Sequence, residues 1–266
     1  MRANWAILVS IVAVTMTAVL VGAGEEAPTK VPSVPENWRV VYEQNFDALE
    51  ESEKWAGADG WKVTIGANVD AVVAIGREYA SGEGKGLLLK NTRTVEKPPL
   101  SWVNIGRDLP AVTGAPVFRV AFDYLVPTAK DPDNGRVDFG IQEAGTGQLL
   151  FVSFASGISF IFDEYKEDDK VKADYASTPA RAGEWNHLEI IVDQNQNKFQ
   201  VQVNGKPVAC KGAEWANFRY RKQASPQKAK SVYFSTANGW ASSRRHIDNF
   251  VVSIAAEAKG QTPPAK

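Results

Sequence analysis

Residues 183–208, GEWNHLEIIVDQNQNKFQVQVNGKPV, constrain the fold of this chain more than any other stretch. Leu188, Ile190 and Val192 alternate with His187, Glu189 and Ile191; Phe199, Val201 and Val203 alternate with Gln200, Gln202 and Asn204. A period of two sends successive side chains to opposite faces, so both runs read as strands with one buried face. Polar residues 193–198 make the turn between them. Asn204-Gly205 is a tight-turn dipeptide, because both residues tolerate positive φ. Residues 231–240 and 244–254 read as two more strands joined by a Gly/Trp/Ser loop. Together these elements predict a large antiparallel sandwich.

Further short strands are expected at 38–46, 61–65, 71–75, 86–91, 100–109, 118–126, 136–143, 148–154, 159–165 and 171–175. Turn residues separate them, which is the pattern of an all-β sandwich or barrel. Residues 215–230 are the one helix candidate, limited by Pro226. Residues 37–256 show no compositional break and read as one β-sandwich domain. Residues 1–24 read as an export signal: Arg2, an apolar run over 5–21, then small residues Val21, Gly22 and Ala23 for cleavage. A secreted or periplasmic location follows, with a membrane contact only if the signal stays uncleaved. Residues 25–36 are a Pro-rich linker, and residues 257–266 read as a disordered tail.

The formal net charge of -1 provides no overall positive field for nucleic acid or anionic membrane. The single cysteine, Cys210, cannot form an internal disulfide and reads as a small buried apolar residue. An exported chain without disulfides points to a bacterial source. Eight Trp residues fill sandwich cores, cap their ends or stack on sugars.

Four segments in order carry a resemblance: VYEQNFDALEESEKW, GKGLLLKN, GEWNHLEIIVD…FQVQVNGKPV and HIDNFVVS. They resemble the concanavalin A-like lectin/glucanase superfamily, in particular bacterial laminin-G-like jelly rolls. The resemblance implies an antiparallel jelly-roll β-sandwich. It leaves function open among lectins, adhesion modules, carbohydrate-binding modules and glycosidases. The hairpin also resembles the lectin-like domain of 3-keto-disaccharide hydrolases. In related binding modules the first strand and the Asp of a terminal IDN strand share a structural calcium; the resemblance therefore implies Asp47 and Asp248 as metal ligands.

Glycosidases of this fold carry carboxylates on alternate positions of one strand, and that motif is missing. Glu184 and Glu189 point to opposite faces, Asp193 sits at a turn, and Asp138 and Glu143 have the same offset. The acidic run Asp163, Glu164, Glu167, Asp168, Asp169 is interleaved with Lys166 and Lys170 and reads as a solvated turn. With two histidines and one cysteine there is no zinc motif. The loop over 237–246 gathers an aromatic ring, an amide and cationic donors; Asn238, Trp240, Arg244 and His246 are the candidate ligand-binding residues, suited to a sugar. The expected function is a noncatalytic glycan-binding or surface-interaction module, with carbohydrate or a cell-surface glycan as partner. The alternatives are a glycoside hydrolase of the same fold and a structural cell-envelope protein.

Overall fold

The structure, a computed structural model, describes residues 32, 34–66, 69–93, 102–126, 128, 130–131, 133, 135–143, 147–155, 157–167, 170–219, 227–236 and 242–256. The expected signal and most of the linker, as well as the C-terminal tail, lie outside these residues.

Sixteen strands are found among the described residues: β1 (Trp38–Gln44), β2 (Trp61–Ile65), β3 (Val69–Gly76), β4 (Gly86–Arg93), β5 (Val103–Asp108), β6 (Val117–Leu125), β7 (Val137–Glu143), β8 (Gln148–Phe154), β9 (Gly157–Glu167), β10 (Lys170–Pro179), β11 (Trp185–Asp193), β12 (Lys198–Val203), β13 (Lys206–Pro207), β14 (Ala216–Asn217), β15 (Ala229–Thr236) and β16 (Ser243–Ala255). One sheet has the order β13-β12-β11-β6-β16-β4-β3, with β1 added on β16 and β14 on β12. The other has the order β10-β9-β8-β7-β15-β5-β2. The pairs are antiparallel, and neighbours distant in sequence, such as β6 with β16 and β7 with β15, show the crossovers of a jelly roll.

The alternation read from the hairpin decides which faces meet. Leu188, Ile190 and Val192 on β11, and Phe199 and Val201 on β12, are fully buried between the sheets. Phe122 on β6 reaches across to Phe139 on β7 and Phe234 on β15, with ring centroids 5.0 Å apart in both pairs. Burying each such side chain contributes ~1.5–3 kcal/mol, so this aromatic layer is a main hold between the sheets. Trp55 and Trp61 also belong to the core. Asn204 and Gly205 take φ of 51° and 74°, the positive values of a two-residue hairpin turn.

The helix expected over 215–230 does not form at either described end. Ala216 and Asn217 pair with Phe199 and Lys198, and Ala229 opens β15. Burial of Ala216 and Phe218 against β12 and the bond from the Phe218 N–H to the Asn197 carbonyl outweigh local helix preference. Among the described residues one short α-helix forms, Pro110–Thr113, with proline at its start.

β16 has two partners on one side. Residues 243–247 pair with β4, and the residues from Phe250 onward pair with β1. The change falls at Asn249, where φ is 50° and the register with β6 shifts. This bulge re-aims the Asp248–Asn249 pair toward the loop that precedes β4.

Candidate functional site

The solvent face of the seven-stranded sheet is built in transverse rows. In one row the partners are Thr64 (β2), Asn104 (β5), Ser235 (β15), Asp138 (β7), Ser153 (β8) and Ser159 (β9). Six adjacent strands thus contribute six small polar side chains in line. The next row is Lys62, Gly106, Tyr233, Gly140 and Phe151. The strand period forces this arrangement, since the alternate residues Ile105, Val232, Phe234, Phe139, Ile141 and Val152 fill the core. Beside the aromatic row lies a shallow cavity of about 240 Å³, lined by Lys62, Thr64, Trp102, Asn104, Gln142 and Tyr233 among others.

The aromatic row is held by a chain of planar groups. A Cβ on Gly140 would overlap the Tyr233 ring, so the glycine makes room for the ring over the strand. Gln148 donates to the Tyr233 hydroxyl, and its carbonyl accepts from Arg219. Arg219 in turn donates to Glu164 at 2.7 Å and lies 4.9 Å over the Phe151 ring. Burial, together with the charge of Asp138, pushes the Tyr233 phenol up to about 12, so it is a neutral hydroxyl.

Asp138 is the carboxylate at the centre of this face. It accepts from Ser153 at 2.5 Å and is gripped by Arg136 at 3.0 and 3.1 Å. Burial raises its pKa in spite of these partners. Its neighbours on the same face, Ser153, Ser235, Gly140 and Gln142, carry no second carboxylate. Of the other acids weighed in the sequence, Glu189 pairs with Arg119 at 3.3 Å, and Asp193 caps the N–H groups of Asn195 and Gln196 at 2.9 Å.

Of the ligand-binding residues picked from sequence, Arg244 and His246 lie on the opposite sheet. Arg244 and His246 occupy alternate positions of β16 and together line a cavity of about 200 Å³ with Thr128 and Asp131. Arg244 is ion-paired with Asp131. Burial and then the Arg244 charge push the His246 imidazole down to about 4. Asn238 and Trp240 lie outside the described residues. Arg245, between the two ligand candidates, turns inward and is fully buried.

Asp47 and Asp248 converge on the loop before β4. Asp47 accepts from the backbone of Lys85 at 2.6 Å; Asp248 accepts from the N–H and hydroxyl of Ser81 at 2.8 and 3.0 Å. Burial raises the Asp248 pKa, and the negative charge of Asp47 adds to the rise. Two like charges felt at one loop fit a hard cation in sign. Among the described residues no group of three His, Cys, Asp or Glu forms there, so hydroxyl, backbone and water oxygens would have to complete the six to eight ligands of a calcium ion.

No protein-family model and no curated protein sequence matches the chain. Solved structures do. An endo-β-1,4-glucuronan lyase from the fungus Trichoderma reesei superposes with a TM-score of 0.56 at 8% identity, over 81% of this chain and 96% of that one. A carbohydrate esterase from the Shiga toxin-encoding bacteriophage phi24B gives 0.52 at 12% identity, over 83% and 100%. The fold is a concanavalin A-like jelly roll. A sialidase also aligns, at 16% identity and a TM-score of 0.47, but the chain spans only 17% of its length. At these identities the likeness shows the fold alone.

The polar row was not legible in the sequence. Each strand supplies only one of its members, and a lone Ser or Asn on a strand reads as an ordinary solvent-facing residue. Only the register brings them into line.

Proposed function

We propose that this chain is a noncatalytic glycan-binding domain, secreted or periplasmic, whose main binding face is the solvent side of the seven-stranded sheet. The observation that carries the reading is the line of six polar side chains, five at least partly exposed and Ser153 buried against Asp138, beside the cavity lined by Trp102. Neighbouring strands lie ~4.8 Å apart, so six strands extend about 24 Å, room for several sugar units. Hydroxyls and an amide donate and accept, and a carboxylate accepts, which together match the donors and acceptors of sugar hydroxyls. Trp102, part-exposed at the cavity, supplies apolar surface for the C–H face of a ring, and the buried Tyr233 ring backs the cavity from beneath.

The rival reading is a glycoside-cleaving enzyme. A retaining glycosidase needs two carboxyls ~5–5.5 Å apart. Asp138 has Ser153 and Ser235 across from it and Gly140 next along the face, which favours binding over cleavage. A calcium ion held between Asp47 and Asp248 is part of this reading, in a structural role far in sequence from Asp138.

A glycan array run with the protein and with Trp102→Ala tests the proposal. Glycans held on this face should be retained at least tenfold less by the variant, with an unchanged melting curve, and bound glycans should be recovered uncleaved. Full retention by a folded Trp102→Ala protein would remove the sheet face from the site. Shortened products would move the assignment to the enzyme.

A further inference from the structure

We infer that the opposite face of the sandwich carries a second sugar site: the cavity between Thr128, Asp131, Arg244 and His246, which takes one pyranose unit of a neutral glycan. It is formed by the nine-stranded sheet and shares no residue with the first face. Leu125 and His246 line it, and they belong to a cross-strand row that Trp185 and Leu88 continue beyond the cavity. Trp185 on β11 pairs with Leu125 on β6, Leu125 with His246 on β16, and His246 with Leu88 on β4. None of these four belongs to the core cluster between the sheets, so they point outward. The rings make contact: Tyr79 is 5.2 Å from His246, and Trp185 is 6.4 Å from it. Apolar edges and a half-buried indole thus adjoin a cavity of about 200 Å³.

The rim decides the ligand class. Arg244 donates to Asp131, and Asp131 also accepts from the Asp133 N–H at 2.9 Å. Lys90 pairs with Asp133 at 3.3 Å. Each cation at the rim is therefore matched by an acid. The fixed Arg244–Asp131 pair presents N–H donors next to carboxylate acceptors, and the Thr128 hydroxyl does both. Two adjacent sugar hydroxyls, each donor and acceptor, fit such a rim. A ligand carboxylate would have to approach Asp131, which argues against an acidic sugar. An apolar floor with a few convergent polar groups is the general form of a small-molecule site.

The test is an array of neutral and acidic glycans run with the full chain and with Trp185→Ala, Thr128→Ala and Trp102→Ala. The expected result is that binding of some neutral glycans falls at least fivefold in Trp185→Ala and in Thr128→Ala and is kept in Trp102→Ala. Should Trp185→Ala fail to fold, the exposed Thr128→Ala decides alone. The inference is overturned if folded Trp185→Ala and Thr128→Ala proteins hold every glycan at full strength, or if only acidic glycans respond. Binding lost in Trp102→Ala alone overturns this site and leaves the first standing, and a blank array overturns both.

Discussion

Tyr233 lies over Gly140, and the absence of a side chain at that glycine is what lets the ring cover the strand. Gln148 holds the phenol from the far side. The Gly140→Ala variant therefore has to move a ring that is both buried and tethered. A forced shift of this kind costs ~1–3 kcal/mol. Urea unfolding should show that loss, and glycan retention should fall with it because the ring leaves its place in the row. A variant as stable as the parent would mean that Tyr233 yields freely.

Much of the fold could be read from the sequence. Strands β2 and β8 fall on the expected residues 61–65 and 148–154, because β2 alternates apolar and polar residues, β8 is a short apolar run, and glycines flank both. Cys210 is buried as expected, and burial raises its thiol to about 11. The reading over 215–230 failed because Ala216 and Asn217 are set by pairing with a strand seventeen to nineteen positions earlier. Arg244 and Arg245 look alike in sequence. Alternation places them on opposite faces, but burial of the second guanidinium depends on carbonyl groups supplied by remote residues.

Arg245 is a buried cation with no carboxylate in hydrogen-bond range among the described residues. It donates to the Phe154 carbonyl at 2.8 and 3.1 Å and to the Gly135 carbonyl at 2.9 Å. Burial pushes it down to about 10, which leaves it charged at neutral pH. Arg245→Met removes the charge but strands these carbonyls. Each buried polar group left unpaired costs ~1–3 kcal/mol. A net loss of about 2–4 kcal/mol is expected in urea unfolding, partly offset by the desolvation no longer needed. A stabilised variant would show that the charge is the larger cost.

His187 and Asp123 make a partly exposed pair at 2.7 Å, with Glu189 and Arg119 nearby. The bond to Asp123 raises the imidazole above its ordinary 6.5, against the effect of burial. Burial would raise Asp123, but bonds from His187 and Asn249 outweigh it and hold the carboxyl below 3.8. The histidine contribution is complete below pH 6.5 and is lost as pH rises through the higher folded value. The aspartate contribution is complete above pH 3.8 and is lost as pH falls through the lower folded value. The melting temperature should therefore decline from pH 6.5 upward, and His187→Gln should flatten that decline. Identical slopes in both proteins would assign the pH dependence to other groups.

Asp47 and Asp248 tie down the loop before β4 from two sides, and the proposed calcium would relieve the repulsion between them. An ion bound only by the folded state at a hundred times its Kd stabilises by ~2.7 kcal/mol. For a domain of this size that is about 5–10 °C in melting temperature, at ~2–4 °C per kcal/mol. Excess chelator should remove this increment, and added calcium should restore it. Asp248→Asn should melt lower and ignore the chelator, since it halves the charge at the loop while keeping an oxygen for Ser81. A parent protein with the same melting temperature in chelator and in millimolar calcium would assign both carboxylates to loop anchoring through hydrogen bonds alone.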